Sequence, residues 1–472
     1  MNSPTTHDHI GHGLRIPSAN HPNGTGRRAA SPCLIHHSVC MGTWEDKGRW
    51  LLLAAGLCAT AIELGAFGLA DVSNALTYAG RLNGVVFLAG ALLEVAAVVA
   101  LNIRRKSSTA KISGVVVLVG VLVSLLANLV LLILQLDGWS YTHYLWVWAL
   151  LLPWSLWALW ELSPEVWSHI PHAEGIAVGV IITGVLAVAN FTYTQIYQPY
   201  TSKAMLTNSV EFGKATVTAG GVSVPVRLRT HNTGKVGVYV LGSLYQVSGR
   251  SPSFVPTPRK SSDWFQDFGS GQRDFMRYTN VKEKGYELLA QGQFIGRSGP
   301  VYVLEPGAEV MTEKIVQFPA GADFEVLGAT ANVTFVRRDR VKIIDNYTTS
   351  GRSSWNKKYT CCSEHVAPPW VAKEGVVHTI RFRSGIVHSN ALLENTRAPH
   401  YVTLWWVLNE PSLESAYGPE LKALIGPEGA QKSEPTPTEV RQMKERYGLA
   451  HAPSGTVQKA MAELLKPEAD GH

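Results

Sequence analysis

Apolar residues are unevenly distributed along this chain. They form five long runs between residues 50 and 197, and a more polar block with short alternating segments follows them. An α-helix needs about 20 predominantly apolar residues to cross a hydrocarbon layer roughly 30 Å thick. The runs that meet this length are 50–70, 81–103, 112–136, 144–162 and 175–197. The pattern therefore predicts a multi-pass α-helical membrane bundle with about five spans.

Beyond residue 204 the hydrophobic period changes to two. Val222, Val224, Val226 and Leu228 alternate with polar or small residues, and Asn232-Thr233-Gly234 is a turn signal between two such segments. Alternation of this kind predicts antiparallel strands with one buried face. About seven short strands in roughly 200 residues are typical of a β-sandwich. We therefore predict an all-β, sandwich-like domain that is immunoglobulin-like only by architectural analogy.

These patterns divide the chain into four parts. We predict a disordered cytoplasmic tail over 1–49, a five-helix transmembrane domain over 50–197, a β-sandwich-like extracytoplasmic domain over 198–410, and a flexible polar tail over 411–472. Residues 1–40 lack apolar periodicity, and Met41 offers a second possible start. Within the last part, Thr438–Tyr447 and Thr456–Leu465 each predict a short amphipathic helix.

The orientation follows from the basic residues beside the spans. Lys47 and Arg49 precede the first span, and Arg104, Arg105, Lys106 and Lys111 lie between the second and third, whereas 71–80 and 137–143 contain no Lys or Arg. Cytoplasmic loops carry an excess of Lys and Arg. We therefore predict a cell-membrane protein with a cytoplasmic N-terminus and, after five spans, an extracytoplasmic C-terminal domain. The net charge of +6 is mild and much of it lies near these segments, so we expect no nucleic-acid partner.

Polar residues inside the predicted spans are the first candidate site. Glu63 and Glu94 lie well inside the first two spans at similar depths, and they share the bundle with Asn83, Asn128 and Gln135. An intramembrane acid is a functional candidate because its insertion costs a few kcal/mol. One interpretation is a proton or cation site. The alternative, which we favour, is interhelical hydrogen bonding that holds the bundle together.

The fourth span is rich in tryptophan. Trp154, Trp157 and Trp160 recur at three-residue spacing and so lie on one helical stripe. A stacking surface for a flat cofactor or lipid is one interpretation, but packing and interfacial anchoring are favoured. No histidine lies in the middle of a span, which argues against a membrane b-type haem. We predict no cofactor and no metal site.

Two long loops of the β domain are candidate binding surfaces. The loop over 249–275 carries Trp264 and Phe265, and the loop over 346–375 carries Trp355 and Trp370. Long loops on a rigid scaffold often recognise ligands through aromatic anchors. The alternative is that these rings cover the ends of the sheets.

Adjacent cysteines stand in the second of these loops. Cys361 and Cys362 predict a vicinal disulfide outside the cytoplasm, where thiols tend to be oxidised. Free or intermolecular thiols are the second interpretation. A soft-metal site with His365 is the third.

No motif for a named reaction is present: we find no nucleophile elbow, no H-E-x-x-H, no P-loop and no dinucleotide fingerprint. We therefore favour a non-enzymatic membrane protein whose β domain binds an extracytoplasmic protein, glycan or envelope component, with membrane lipid around the bundle. One alternative is a transporter, channel or accessory subunit that uses Glu63 and Glu94. A membrane-bound envelope enzyme, for which the sequence nominates no residues, is the other.

Overall fold

The computed structural model describes the chain in segments. These are residues 38–106, 111–137, 141–167, 205–250, 260–262, 287–296, 301–353 without 323, 367–371, 378–408, 419–427 and 433–466, with the single residues 179, 186 and 193. The chain divides into two compact units, Met1–Leu52 and Leu53–His472. All contacts described below lie within the second unit.

Four long helices occupy the described portion of the apolar part of the chain. They are α1 (Ser38–Asn74), α2 (Tyr78–Lys106), α3 (Lys111–Asp137) and α4 (Tyr144–Trp167). Each contains a stretch long and apolar enough to cross a membrane. The first four predicted spans are therefore confirmed as helices of spanning length. The fifth, 175–197, falls almost entirely outside the described residues.

The bundle has an apolar exterior and a partly polar interior. Large apolar side chains such as Ile62, Leu92 and Leu150 are more than two-thirds exposed. Polar side chains that are fully buried in the bundle are Thr60, Glu94, Ser124, Asn128, Gln135 and Ser155. In water such a distribution would be unfavourable, because the exterior would expose much apolar surface. In a bilayer it is favourable, since the apolar exterior meets lipid and the polar groups find partners inside.

Small residues allow the helices to approach closely. A Cβ atom at Gly68 would lie 2.8 Å from the carbonyl oxygen of Gly84, and the reverse distance is the same. Trp154 packs directly over Gly56, where a Cβ would overlap its indole ring. This contact supports the packing interpretation of the tryptophan stripe, whereas Trp160 is mostly exposed, as expected for an anchor.

The rest of the described chain forms thirteen strands in three antiparallel sheets. The first sheet contains β1 (Leu206–Phe212), β2 (Thr216–Thr218), β3 (Gly221–Asn232) and β7 (Glu309–Phe318). The second contains β4 (Val238–Arg250), β5 (Glu287–Gly292), β6 (Tyr302–Leu304), β8 (Val326–Arg337) and β13 (Ala450–Ala460). The third contains β9 (Val341–Ser353), β10 (His378–His388), β11 (His400–Leu408) and β12 (Glu420–Gly426).

The second sheet contributes to two separate cores. Val240 of β4 belongs to the core shared with the first sheet, whereas its neighbour Leu241 belongs to the core shared with the third. Successive side chains of a strand point to opposite faces, so one strand serves both layers. The β-rich class is confirmed, but three sheets replace the two of a simple sandwich, and the immunoglobulin-like arrangement is not confirmed.

The predicted flexible tail over 411–472 is wrong for the described residues. Strand β12 pairs with β11, and β13 pairs with β8 from Ala450 opposite Phe335 to Ala460 opposite Val326. The predicted helix over Thr456–Leu465 is also wrong, because this segment is strand to Ala460 and then the single turn Met461–Leu464. Its buried positions are few and small, so the alternation of a half-exposed edge strand is hard to see in the sequence.

The other predicted helix of this region is confirmed as Pro437–Tyr447. Thr436 and Glu439 form a capping box at its start, and Pro437 occupies the first turn. Gly448 ends the helix with φ of 66°, a left-handed conformation that favours glycine. The helix packs through Met443 and Tyr447 into the core of the third sheet.

Candidate functional site

A short helix of the β domain docks into the end of the helix bundle. This helix, α5 (Ala391–Thr396), connects β10 to β11, and Asn390 caps it by accepting a hydrogen bond from the Leu393 N–H at 2.8 Å. Leu392 is only 1% exposed. It packs in a cluster with Phe67, Leu131 and Trp148, which come from α1, α3 and α4. One side chain of the β domain therefore completes a core of the bundle.

Hydrogen bonds to backbone groups of the β domain fix the same junction. The carboxylate of Asp71 accepts the N–H of Ala391, and the Leu76 N–H donates to the carbonyl of Ser389 at 2.9 Å. The Thr142 hydroxyl donates to the carbonyl of Asn395 at 2.7 Å. Asp71 is 1% exposed, so its charge is withdrawn from water and directed at the first turn of α5. Such bonds hold α5 in one orientation, because each buried partner would otherwise be unsatisfied.

A half-buried cluster of ionisable side chains lies at α5, with His388 buried and Glu394 and His400 partly exposed. The Glu394 carboxylate accepts the backbone N–H of His388 at 2.7 Å and lies 2.9 Å from its ring Nδ1. The His388 ring is 5.6 Å from the ring of His400, and Tyr447 packs against both rings at about 6 Å. The ends of β10 and β11 thus bring together two histidines that are separated by α5 in sequence.

Burial sets the protonation of this cluster. It lowers the pKa of His388 and lowers that of His400 to about 4. Burial alone would raise the pKa of Glu394, but the hydrogen bonds from His388 outweigh it and the pKa is lowered. Near neutral pH the cluster therefore contains neutral imidazoles and a carboxylate. Among the described residues, no three His, Cys, Asp or Glu side chains are arranged to hold a metal ion.

The predicted intramembrane candidates lie inside the bundle on different helix pairs. Glu63 of α1 accepts a hydrogen bond from the indole N–H of Trp148 on α4. Glu94 of α2 accepts one from the Ser124 hydroxyl of α3 at 2.8 Å. In each carboxyl group the second oxygen, Oε2, is buried without a hydrogen-bond partner among the described residues. Interhelical hydrogen bonds therefore satisfy one of the two side-chain oxygens of each glutamate.

Asn128 extends the same polar interior toward α4. Its side-chain nitrogen donates to the Ser155 hydroxyl at 3.3 Å, while its oxygen Oδ1 is buried without a partner in the described part of the chain. On α3 it lies four residues after Ser124, which places the two side chains on one face. Polar groups from all four helices thus share the centre of the bundle.

Most of the predicted recognition residues lie outside the described residues: Trp264, Phe265, Trp355, Cys361 and Cys362. Trp370 is described, and its ring packs edge-on against Trp405 with centroids 5.5 Å apart. Lys422 donates to the Trp370 carbonyl at 3.0 Å. This residue therefore covers the third sheet, in agreement with the covering alternative.

Sequence reasoning missed the histidine cluster and a pair of arginines on β10. Arg381 and Arg383 flank the buried Phe382, and this alternation was visible in the sequence as a strand with two cations on one face. The histidine cluster gave no such local signal, because its members meet only through the pairing of β10 with β11.

Comparisons with known proteins provide no functional assignment. No protein-family model and no curated protein matches the chain. Among solved structures, the chain is similar to Spo0M, a sporulation control protein from Bacillus subtilis, at 9% identity, over 55% of this chain and 91% of that one, with a TM-score of 0.16. A TM-score this low supports no argument about this protein.

Proposed function

We propose that this chain is a multi-pass membrane protein whose β domain lies outside the cytoplasm, binds an envelope or extracellular ligand, and is coupled to the helix bundle through α5. The proposal rests on one observation above all, the burial of Leu392 among three helices of the bundle. A binding domain that was merely tethered would have no need of such a contact. We propose a non-enzymatic role, with a protein, glycan or envelope component as the ligand.

The position of the junction supports the proposed orientation. The β domain contacts the end of the bundle formed by the α1–α2 and α3–α4 connections, through Asp71, Leu76 and Thr142. Arg81 lies near that end. The opposite end carries Arg104, Arg105 and Lys106 at the end of α2 and Lys111 at the start of α3. An excess of Lys and Arg favours the cytoplasmic side. The same orientation follows for any number of spans after α4.

Thiol labelling in intact cells, which reports the side of the membrane on which a residue lies, tests this proposal. In a background with the native cysteines replaced by serine, Lys235→Cys and Arg105→Cys each place one exposed thiol, in the β domain and at the basic end of α2. Intact cells are treated with a membrane-impermeant thiol reagent. We expect labelling of the Lys235→Cys variant before lysis and of the Arg105→Cys variant only after lysis. The reverse pattern would refute the orientation and, with it, an extracytoplasmic ligand.

A second candidate function is a proton or cation pathway through the bundle. The observation that favours it is the pair of buried carboxylate oxygens, on Glu63 and Glu94, that lack hydrogen-bond partners among the described residues. Reconstituted protein with a pH-sensitive dye inside the vesicles tests this function. Glu94→Gln should abolish flux under this alternative and leave it unchanged under the first proposal. Ser155→Ala controls for general disturbance of the polar interior.

A further inference from the structure

Two arginines lie side by side on the outer face of the third sheet, the face that points away from the second sheet. Arg381 and Arg383 are two residues apart on β10, so their side chains project from the same face. The intervening Phe382 is fully buried and points into the core shared with β4. Both arginines are half-buried. The strand therefore presents two adjacent guanidinium groups in a partly desolvated position.

Neither arginine has an acidic partner among the described residues. The Nε atoms of both are buried and make no hydrogen bond there, and neither group forms an ion pair with a described carboxylate. Burial, followed by the charge of Arg383, lowers the pKa of Arg381. Two like charges in a partly desolvated position oppose folding unless a counter-charge is supplied.

Two other cations of the β domain have acidic partners. Lys422 lies two strands away on the same face, where it donates to the Trp370 carbonyl and is 3.5 Å from Glu420. Arg227, on the first sheet, donates to Glu313 at 3.0 Å. Arg381 and Arg383 differ from these two cations, because no carboxylate of the described residues pairs with either of them.

The surroundings of the pair suit a ligand. The Arg383 guanidinium lies 4.1 Å above the centroid of the Tyr401 ring, a cation–π contact that holds the group in place. Thr348 is directly opposite Arg383 on β9 and is exposed, so a hydroxyl is present on the same face. Trp405 lies opposite Arg381 and is covered by Trp370, which forms an apolar border.

We propose that Arg381 and Arg383 form a binding site for an oxyanion, a phosphate or carboxylate group carried by the ligand of the β domain. The planar guanidinium fork matches both groups, and charge-assisted bonds of this kind are strong. The inference names the chemical class of ligand and so rests on the proposed binding function. An oxyanion between the two guanidiniums would supply the counter-charge that the described chain lacks.

The location favours a soluble oxyanion over a lipid headgroup. Ser389, which bonds to the end of the bundle, follows Arg383 by six positions along the chain. At about 3.3 Å per residue this is a separation of up to roughly 20 Å along the strand. Headgroups at the bundle surface would have to span that distance.

Inorganic phosphate is the probe, titrated into the full chain in phosphatidylcholine nanodiscs at constant ionic strength. We expect a saturable rise in Tm and a calorimetric binding signal in the millimolar range. Arg381→Gln with Arg383→Gln should weaken binding at least about tenfold, as expected for lost charge-assisted hydrogen bonds. The matched control, Arg227→Gln, removes a paired arginine and should leave phosphate binding unchanged. An equal rise in Tm with sodium chloride alone would overturn the site, because it would show general screening.

Two further arms separate the alternatives. Nanodiscs that contain phosphatidylglycerol should leave phosphate binding unchanged; competition would assign the site to a lipid headgroup instead. In the absence of phosphate, Arg381→Gln should leave Tm unchanged or raise it, because it relieves like-charge repulsion. A clear fall in the Tm of Arg381→Gln, together with no phosphate binding by the parent, would mean that an acid of the chain itself pairs with the arginines. This outcome would refute the oxyanion site. Phosphate binding by a chain with the wrong sidedness would refute the proposed function alone.

Discussion

Replacing Leu392 with alanine should loosen the β domain from the helix bundle. The side chain is 1% exposed and completes a cluster formed by Phe67, Leu131 and Trp148. Removal of a buried leucine side chain costs about 2–5 kcal/mol, because apolar contacts are lost and a cavity remains. If the undocked state exposes Leu392 to a polar environment, most of that loss falls on the docking equilibrium. Since 1.4 kcal/mol is a factor of ten, the undocked fraction should rise by at least about tenfold.

Disulfide cross-linking of the full chain in its membrane measures the change in the undocked fraction. Leu76 and Ser389 are joined by a backbone hydrogen bond of 2.9 Å, so cysteines at these two positions lie within reach of a disulfide. In a cysteine-free background, the Leu76→Cys, Ser389→Cys pair should cross-link rapidly under mild oxidation. Adding Leu392→Ala should slow cross-linking, because α5 spends less time docked.

The control is Val217→Ala, which truncates an exposed apolar side chain of the first sheet away from the junction. It should leave the cross-linking rate unchanged. Equal rates for the Leu392→Ala variant and its parent would refute the reasoning, since they would show that the packing of Leu392 contributes nothing to docking. The coupling of domain and bundle would then have to depend on the hydrogen bonds of Asp71 and Thr142.

Three other outcomes follow from the structure. Acidification from pH 6.5 toward 4 should lower the free energy of unfolding by up to roughly 3 kcal/mol. The pKa of His400 is about 4 when folded and 6.5 when unfolded, so the unfolded chain binds the proton first. Thermal unfolding of the parent and of His400→Gln across this pH range checks this, and an equal dependence of Tm on pH in both would contradict it. Gly84→Val should reduce the yield of folded protein in detergent, because its Cβ would lie 2.7 Å from the backbone nitrogen of Val72; an unchanged yield would contradict close α1–α2 packing. Gly448→Ala should lower Tm by several degrees, because φ is +66° and the new Cβ would lie 2.4 Å from the Arg337 side chain. Gly307→Ala is the control: φ there is +75° but no atom lies within 4 Å of the new Cβ, so it measures the cost of the positive φ without a clash.

The helices were predictable because crossing a bilayer imposes a local requirement. Each apolar run had to be long enough by itself to span the bilayer. The predicted spans 81–103 and 112–136 lie within the helices Tyr78–Lys106 and Lys111–Asp137 of the structure. The helix at Pro437–Tyr447 was predictable for a similar reason, because its capping signals lie within a few residues of one another.

The junction was not predictable because its contacts are distant in sequence. Asp71 and Ala391 are separated by 320 residues, and nothing near Leu392 distinguishes α5 from an ordinary helical turn at a sheet end. The prediction for strand β13 was wrong for another reason. The strand pairs with β8 along one edge, and only small residues such as Ala452 enter the core shared with the first sheet, so the hydrophobic alternation is weak.

Strand β10 joins the two sites that the structure adds. The arginine pair lies in its first half, and its last residue, His388, contacts Glu394 of α5, which is docked in the bundle. A ligand at one end influences the other only if it binds the docked and undocked states with different affinity. The Leu76→Cys, Ser389→Cys pair measures this directly. If the sites are coupled, phosphate should change the cross-linking rate of the parent and not that of the Arg381→Gln, Arg383→Gln variant. Equal rates with and without phosphate would mean that the oxyanion site and the docking helix share a strand but act independently.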